Sequence, residues 1–303
     1  MSVAEIEARE IGLEPGGGGL WRDAWVRLRR NPGAMVGFGI VGLFIVVATF
    51  APWIAPEDPR VGDLSRLGGT CCPGPSAEHW FGIDQQGRDE LSRIVYGARF
   101  SLLIGVVSVT VGLSIGLFFG AIAGYFGGIV DSVIMRLTDI MLAIPGLLLA
   151  IGIVAMLGPG LFQIMIAVGV TQIPIFARLM RGSVLAQREN DFVLAARSIG
   201  VPRRSILSAH ILPNAISPVI VQATLALATA IIDVAALGFL GLGPQDPSTP
   251  EWGTMLTDTT RYLQTAPHLA IIPGVAIIIS VLGFNLIGDG LREAMDPKMR
   301  GRG

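Results

Sequence analysis

The chain has 303 residues, 51% of them hydrophobic and only 15% charged, with a mean hydropathy of +0.64, far from the make-up of a soluble domain. A formal net charge of −1 excludes a basic nucleic-acid binder. No GxxxxGKS/T phosphate loop, HExxH helix or paired CxxC occurs, so the sequence offers no phosphate cradle or metal site of its own. The expected fold class is all-α, a polytopic membrane protein, and energy for its work has to come from a partner or an ion gradient.

In chain order, Met1 to Pro15 is charged and runs into Gly16 to Gly19, without the apolar core of a cleavable signal peptide. From Leu20 to Arg30, Trp21, Trp25 and Leu28 fall on one helical stripe and Arg22, Arg27, Arg29 and Arg30 on other faces. That pattern suits a helix on a membrane surface, or equally one packed on the end of a bundle. Six runs, 34–53, 100–125, 134–157, 161–179, 216–240 and 269–287, then meet the length of about 20 apolar residues that a spanning helix needs. A tight Gly158-Pro159-Gly160 turn parts the third from the fourth. The expected organisation is a tail with an amphipathic helix (1–33), a first span (34–53), an outer loop (54–99), a core (100–290) containing a polar loop at 190–214, and a C-terminal tail (291–303).

Arginine fixes the expected orientation. It collects before the first span, between the fourth and fifth (Arg181, Arg188, Arg197, Arg203, Arg204) and at the C-terminus (Arg292, Lys298, Arg300, Arg302), whereas 243–268 carries Asp246, Glu251 and Asp258 against Arg261 alone. Both termini and the 190–214 loop are therefore expected in the cytoplasm.

That loop reads as two short helices. Asn190 suits an N-cap and Asp191 the first turn; Phe192, Ala195, Ala196 and Ile199 share a face. Gly200 suits the position after the helix end, and Pro202 the first turn of the next helix, with Ile206, Leu207 and Ile211 as its apolar side and Pro213 closing it. Ala195, Ala196 and Gly200 would let another backbone approach closely, although a loop packed on its own bundle reads the same way.

On the outer side, Asp84, Arg88, Asp89 and Arg93 are expected to form local ion pairs in a solvated cap, with turns at Gly87 and Gly97. The adjacent Cys71 and Cys72 leave open free thiols, a strained vicinal bridge or pairing with another chain. Within the spans, Asp233 is the clearest ionisable residue and hence a functional candidate, with an interhelical hydrogen bond as the alternative. Gln222 and Asn285 could line a pathway or join helices. Arg136 with Asp139, and Asp289 with Arg292, are spaced to pair. Gly105, Gly112, Gly116 and Gly120 make a groove for close helix contact. His79, His210 and His268 are scattered and suggest no metal.

Several motifs carry a resemblance. The order AA, three residues, G, nine residues, HxLPN (Ala195 to Asn214) resembles the EAA loop of ABC importer permeases, with Leu194 where Glu is common. The stretch FGIDQQGRDELSRIVYGARFSL (81–102), MRLTDIMLAIPGLLLAI (135–151), ALGFLGLGPQDPSTPEWG (236–253) and FNLIGDGLREAMDPK (284–298) resemble the C-type permease subunit of dipeptide and oligopeptide importers, with Gly238 where Ser is common and Asp233 where Glu is usual. The resemblance implies a bacterial inner-membrane subunit that is no enzyme and holds no cofactor. Its implied partners are a second, B-type permease, two ATP-binding subunits carrying ATP and Mg, a substrate-binding protein outside, and membrane lipid. Asp191, Ala195, Ala196, Gly200, Pro202, His210, Pro213 and Asn214 would couple it to the ATPases; Asp233, Gln222 and Asn285 would face the cargo, a di- or oligopeptide. Nickel chelates or glutathione are the alternative cargo, and a secondary transporter the alternative class.

Overall fold

The computed structural model describes residues 20–67, 71–257 and 259–295. The charged tail, the glycine run, Asp258 and the arginine-rich end after Met295 lie outside them. Among the described residues all regular structure is helical, apart from one isolated bridge between Ile83 and Asp89.

The helices, in order, are α1 (Leu20–Arg30), α2 (Pro32–Thr49), the single turn α3 (Ala51–Ile54), α4 (Glu90–Phe126), α5 (Gly128–Ala143), α6 (Gly146–Leu157), α7 (Leu161–Arg188), α8 (Asp191–Ser198), α9 (Arg203–Ser205), α10 (Ser217–Leu237), α11 (Trp252–Thr257) and α12 (His268–Met295). A π-wound piece (Ile206–Ile211) and a further turn (Leu212–Ala215) carry α9 towards α10, which continues as a π-wound turn, Gly238–Leu242. Among the described residues five helices, α2, α4, α7, α10 with its continuation and α12, are long and apolar enough to cross a membrane.

The third expected span, 134–157, is not one rod. It is α5 and α6, bent by 93°. Pro145 clashes with a helical conformation of the residue before it, and Ile144 is accordingly extended (φ −96°, ψ 129°).

The centre of the bundle is the α4–α7 pair, and its glycines set the spacing. A Cβ on Gly112 would come 2.6 Å from the Gly169 carbonyl, one on Gly116 2.6 Å from Phe176 Cβ, and one on Gly120 would strike the Ala177 carbonyl. The expected glycine groove is thus the seat of α7 along three of its four positions, while Gly105 faces Ile231 of α10. Around the pair, Ile104, Val168, Phe176, Met180, Ile211 and Leu237 are buried in one continuous core.

Ion pairs on α5 depart from expectation. Arg136 does not pair with Asp139; Arg178 of α7 takes Asp139 at 2.7 Å, and Arg181 takes Asp131 at 2.6 Å. An interhelical partner wins because Arg178 and Arg181, three apart, share the face of α7 turned to α5. Among the described residues Asp289 and Arg292 form no ion pair either. Instead Asn31, whose side chain caps α2 by accepting from the Ala34 N–H (3.0 Å), donates to Glu293 (2.6 Å) and ties α12 to the start of the first span. Leu28 of α1 is buried with Ala34 and Ala294, so α1 packs on the end of α12; the Arg29 guanidinium lies 4.6 Å over the Trp25 ring.

Candidate functional site

The segment 190–214 sits at one end of the bundle, where its local chemistry makes a rigid unit. Asn190 holds the N-cap position in extended backbone (φ −73°, ψ 150°), but its side chain donates to Gln187 (2.9 Å) instead of capping. Asp191 opens α8, where its charge faces the positive end of the helix dipole. The other end closes in a Schellman turn: Gly200 has φ +80°, its N–H donates to the Arg197 carbonyl (3.0 Å), and the Val201 N–H donates to the Ala196 carbonyl (3.1 Å). Pro202 lies one residue earlier than expected, as the cap before α9.

Two faces of α8 have different fates. Val193 and Ala196 turn inward into the core that also holds Ile206, Ile211 and Ala215. Phe192, Leu194 and Ile199 turn out, 39%, 51% and 81% exposed, with Ala195 beside them and open space around Gly200. This divides the small pair: Ala195 is available to a second protein, whereas Ala196 is packed in its own bundle. Val193 is the anchor that sequence reasoning missed; its spacing of three to Ala196 was the legible sign.

One side chain from the spans clamps the unit, and a second holds the helix end that carries it. The Tyr125 hydroxyl at the end of α4 donates to the Arg203 carbonyl (2.8 Å), and Arg188 at the end of α7 donates to the carbonyls of Gly124 (3.3 Å) and Tyr125 (3.1 Å). His210, half-buried, lies with Nδ1 3.4 Å from the Ser205 carbonyl, and Asn214 donates to the His210 carbonyl (2.7 Å). Both brace the π-wound piece from within, while Pro213 is exposed in the turn after it.

The three pathway candidates are not brought together. Gln222 and Asp233 are eleven residues apart on α10, which places them on one face about 16 Å from each other. Asn285 stands on α12, whose Phe284 and Ile287 pack on Ala228 and Ile231. Ile231 is two residues from Asp233, so α12 meets the side of α10 turned away from Asp233. All three side chains are half-buried.

The opposite end is no solvated cap. Asp84, Arg88, Asp89, Glu90, Arg93 and Glu251 are all buried. Arg88 bonds Asp84 through Nε (2.6 Å), and Arg93 approaches the same carboxylate (3.4 Å). Asp89 leaves that group: it caps α4 by accepting from the Ser92 N–H (2.8 Å) and lies 3.0 Å from His79. This cap, with the polar turn after it, starts α4 ten residues before the apolar run begins. Glu251 accepts from the N–H groups of Gly253 and Thr254 (both 2.8 Å); burial pushes its carboxyl up in pKa against the pull of those donors. Gly87 makes the expected turn (φ +75°), but Gly97 lies inside α4, where its missing side chain admits the Trp252 ring. That ring donates to the Ile94 carbonyl (3.1 Å) and meets Phe44 edge-on at 5.5 Å. Cys71 and Cys72 are joined to each other, Cys72 being buried beside Ala266 and Leu269.

Residues 116–301 match the family described as binding-protein-dependent transport system inner membrane component, and residues 19–67 match the N-terminal TM domain of oligopeptide transport permease C. The likeness therefore reaches further towards the N-terminus than the motifs from Phe81 onward indicate. The chain is 50% identical over 281 residues to the dipeptide transport system permease protein DppC of Alkalihalophilus pseudofirmus, covering 92% of this chain and 90% of that one. It is 48% identical over 282 residues to the glutathione transport system permease protein GsiD of Escherichia coli O157:H7, covering 93% and 91%. Among solved structures, the inward-facing MetNI methionine ABC transporter superposes with a TM-score of 0.56 at 21% identity, over 67% of this chain and 96% of that one. An amino acid ABC transporter gives 0.51 at 18%, over 67% and 94%. These two share the fold.

Proposed function

Because the chain belongs to the family of binding-protein-dependent transport system inner membrane components, we propose that it is the C-type permease subunit of an ATP-driven importer whose cargo is a di- or oligopeptide. The observation that carries the cargo is the pair of relatives near half identity, named for a dipeptide and for glutathione, itself a small peptide. Glutathione is the second reading on the same ground. A nickel chelate has less support, since among the described residues no three His, Cys, Asp or Glu side chains are placed to hold a metal ion.

In this reading the chain pairs with a B-type permease in a bacterial inner membrane and binds no nucleotide. ATP and Mg belong to two ATPase subunits, and a binding protein delivers cargo to the Trp252 end. The α8 end faces the cytoplasm, in keeping with Arg181, Arg188, Arg197, Arg203 and Arg204 gathered there. The apolar outward face of α8, with Asp191, Ala195 and Gly200, is the ATPase contact; Pro202, Pro213, His210, Asn214 and the inward Ala196 hold its shape. Closure of the ATPase pair then moves α8 and α9 as one body and swings the spans between inward and outward access. Turning such an equilibrium from 1:99 to 99:1 takes about 5.5 kcal/mol, which a clamped unit can transmit. Asp233 and Gln222, on one face of α10, are the proposed contacts with the pathway, and Asn285 borders it.

The test is reconstitution of the permease pair with its ATPases and binding protein in liposomes. Accumulation of labelled dialanine only when ATP is supplied on the α8 side is the expected result; uphill uptake by this chain alone would make it a secondary carrier.

A further inference from the structure

At the Trp252 end, the residues that open α4 and the segment around Gly241 to Thr257 enclose a cavity of about 250 Å³. Its ionisable lining consists of Asp84, Glu90, Asp246, Arg88 and Arg93, so three carboxyl groups stand against two guanidiniums. Bonding shows which carboxyl lacks a counter-charge. Asp84 is shared by both arginines, which also donate to the Pro247 carbonyl. Asp246 is exposed and accepts from the N–H and hydroxyl of Ser248. Glu90 is only 2% exposed, lines the cavity, and among the described residues receives no hydrogen bond or ion pair. A carboxyl group in that setting resists ionisation, and a positively charged donor placed against it is what would let it carry its charge.

The missing charge is not a metal, because the described residues contain no metal-holding group of three or more ligands. The volume falls below the range of about 300–1,000 Å³ for drug-sized ligands, and suits one small residue with its charged end.

We propose that this cavity binds the amino-terminal ammonium group of a small peptide against the Glu90 carboxylate. The proposal rests on the reading of the chain as a peptide permease and adds a recognition point to it, on the side where cargo arrives. It predicts that a free amino terminus is needed there and that an acetylated one is refused.

The test needs no transport. In the detergent-solubilised permease–ATPase complex without binding protein, Glu90 is labelled with a hydrophobic carbodiimide and the modified peptide is quantified by mass spectrometry. Dialanine at about ten times its Kd is expected to slow labelling by about tenfold, whereas N-acetyldialanine leaves the rate unchanged. Equal protection by the two, or by neither, overturns the proposal, as does protection by propylammonium without protection by dialanine. Wild-type protein carries this result, so a misfolded variant cannot obscure it; in calorimetry, Glu90→Gln should abolish dialanine binding and Glu90→Asp should retain part of it. Protection by dialanine would uphold the site even if liposome uptake pointed to another cargo, so the two readings fail separately.

Discussion

At the scale of single residues, glycine does the most where it is least visible. Gly97 has ordinary helical backbone, and what requires it is the Trp252 ring, whose Cδ1 and Nε1 would lie 2.6 Å from an added Cβ. Gly97→Ala is therefore expected to destabilise the solubilised chain by about 1–3 kcal/mol, the usual cost of overpacking a filled site. Thermal unfolding followed by tryptophan fluorescence checks this, and an unchanged transition would remove Trp252 as the peg of that end. The sequence could not show it, because the ring and the glycine are more than 150 residues apart. The same holds for Asp84, Arg88 and Arg93: their charge made a solvated cap the natural expectation, yet mutual pairing allows their burial. Gly200 is the contrary case, legible from local pattern alone, because a helix ending there needs a left-handed residue and φ is +80°.

At the scale of elements, periodicity found nearly every helix and misjudged how some begin or break. The apolar run from 134 to 157 looked continuous, and only Pro145 betrayed the 93° bend. In the 190–214 segment the two helices and their turn were plain, but the division between faces was not. Phe192 and Val193 are both apolar, and burial of Val193 is decided by the core that also holds Ile206 and Ile211, not by its neighbours in sequence. The clamp on this segment yields a prediction. Tyr125→Phe removes the donor to the Arg203 carbonyl, a loss of about 1 kcal/mol, and leaves the spans intact. In the reconstituted complex ATP hydrolysis should persist while dialanine uptake per ATP falls. An unaltered ratio of uptake to hydrolysis would mean that the α8 unit does not rely on α4 to transmit motion.

At the scale of the whole molecule, the account joins three facts: a bundle of apolar helices, an arginine-rich end, and an exposed apolar face on a short, clamped helix at that end. The first two were legible from composition and loop charge. The third needed the fold, since only the assembled chain shows that Ile199 has nothing of its own to pack against. Together they support the proposal of a passive gate moved from the cytoplasm by another subunit. The most direct test is the accessibility of Ile199→Cys in a chain whose Cys71 and Cys72 are replaced by serine, using a membrane-impermeant maleimide on spheroplasts and on inverted vesicles. The account predicts labelling only in inverted vesicles, and protection there when the ATPase subunits are bound. Labelling from the outside of spheroplasts, or labelling indifferent to the ATPases, would contradict it.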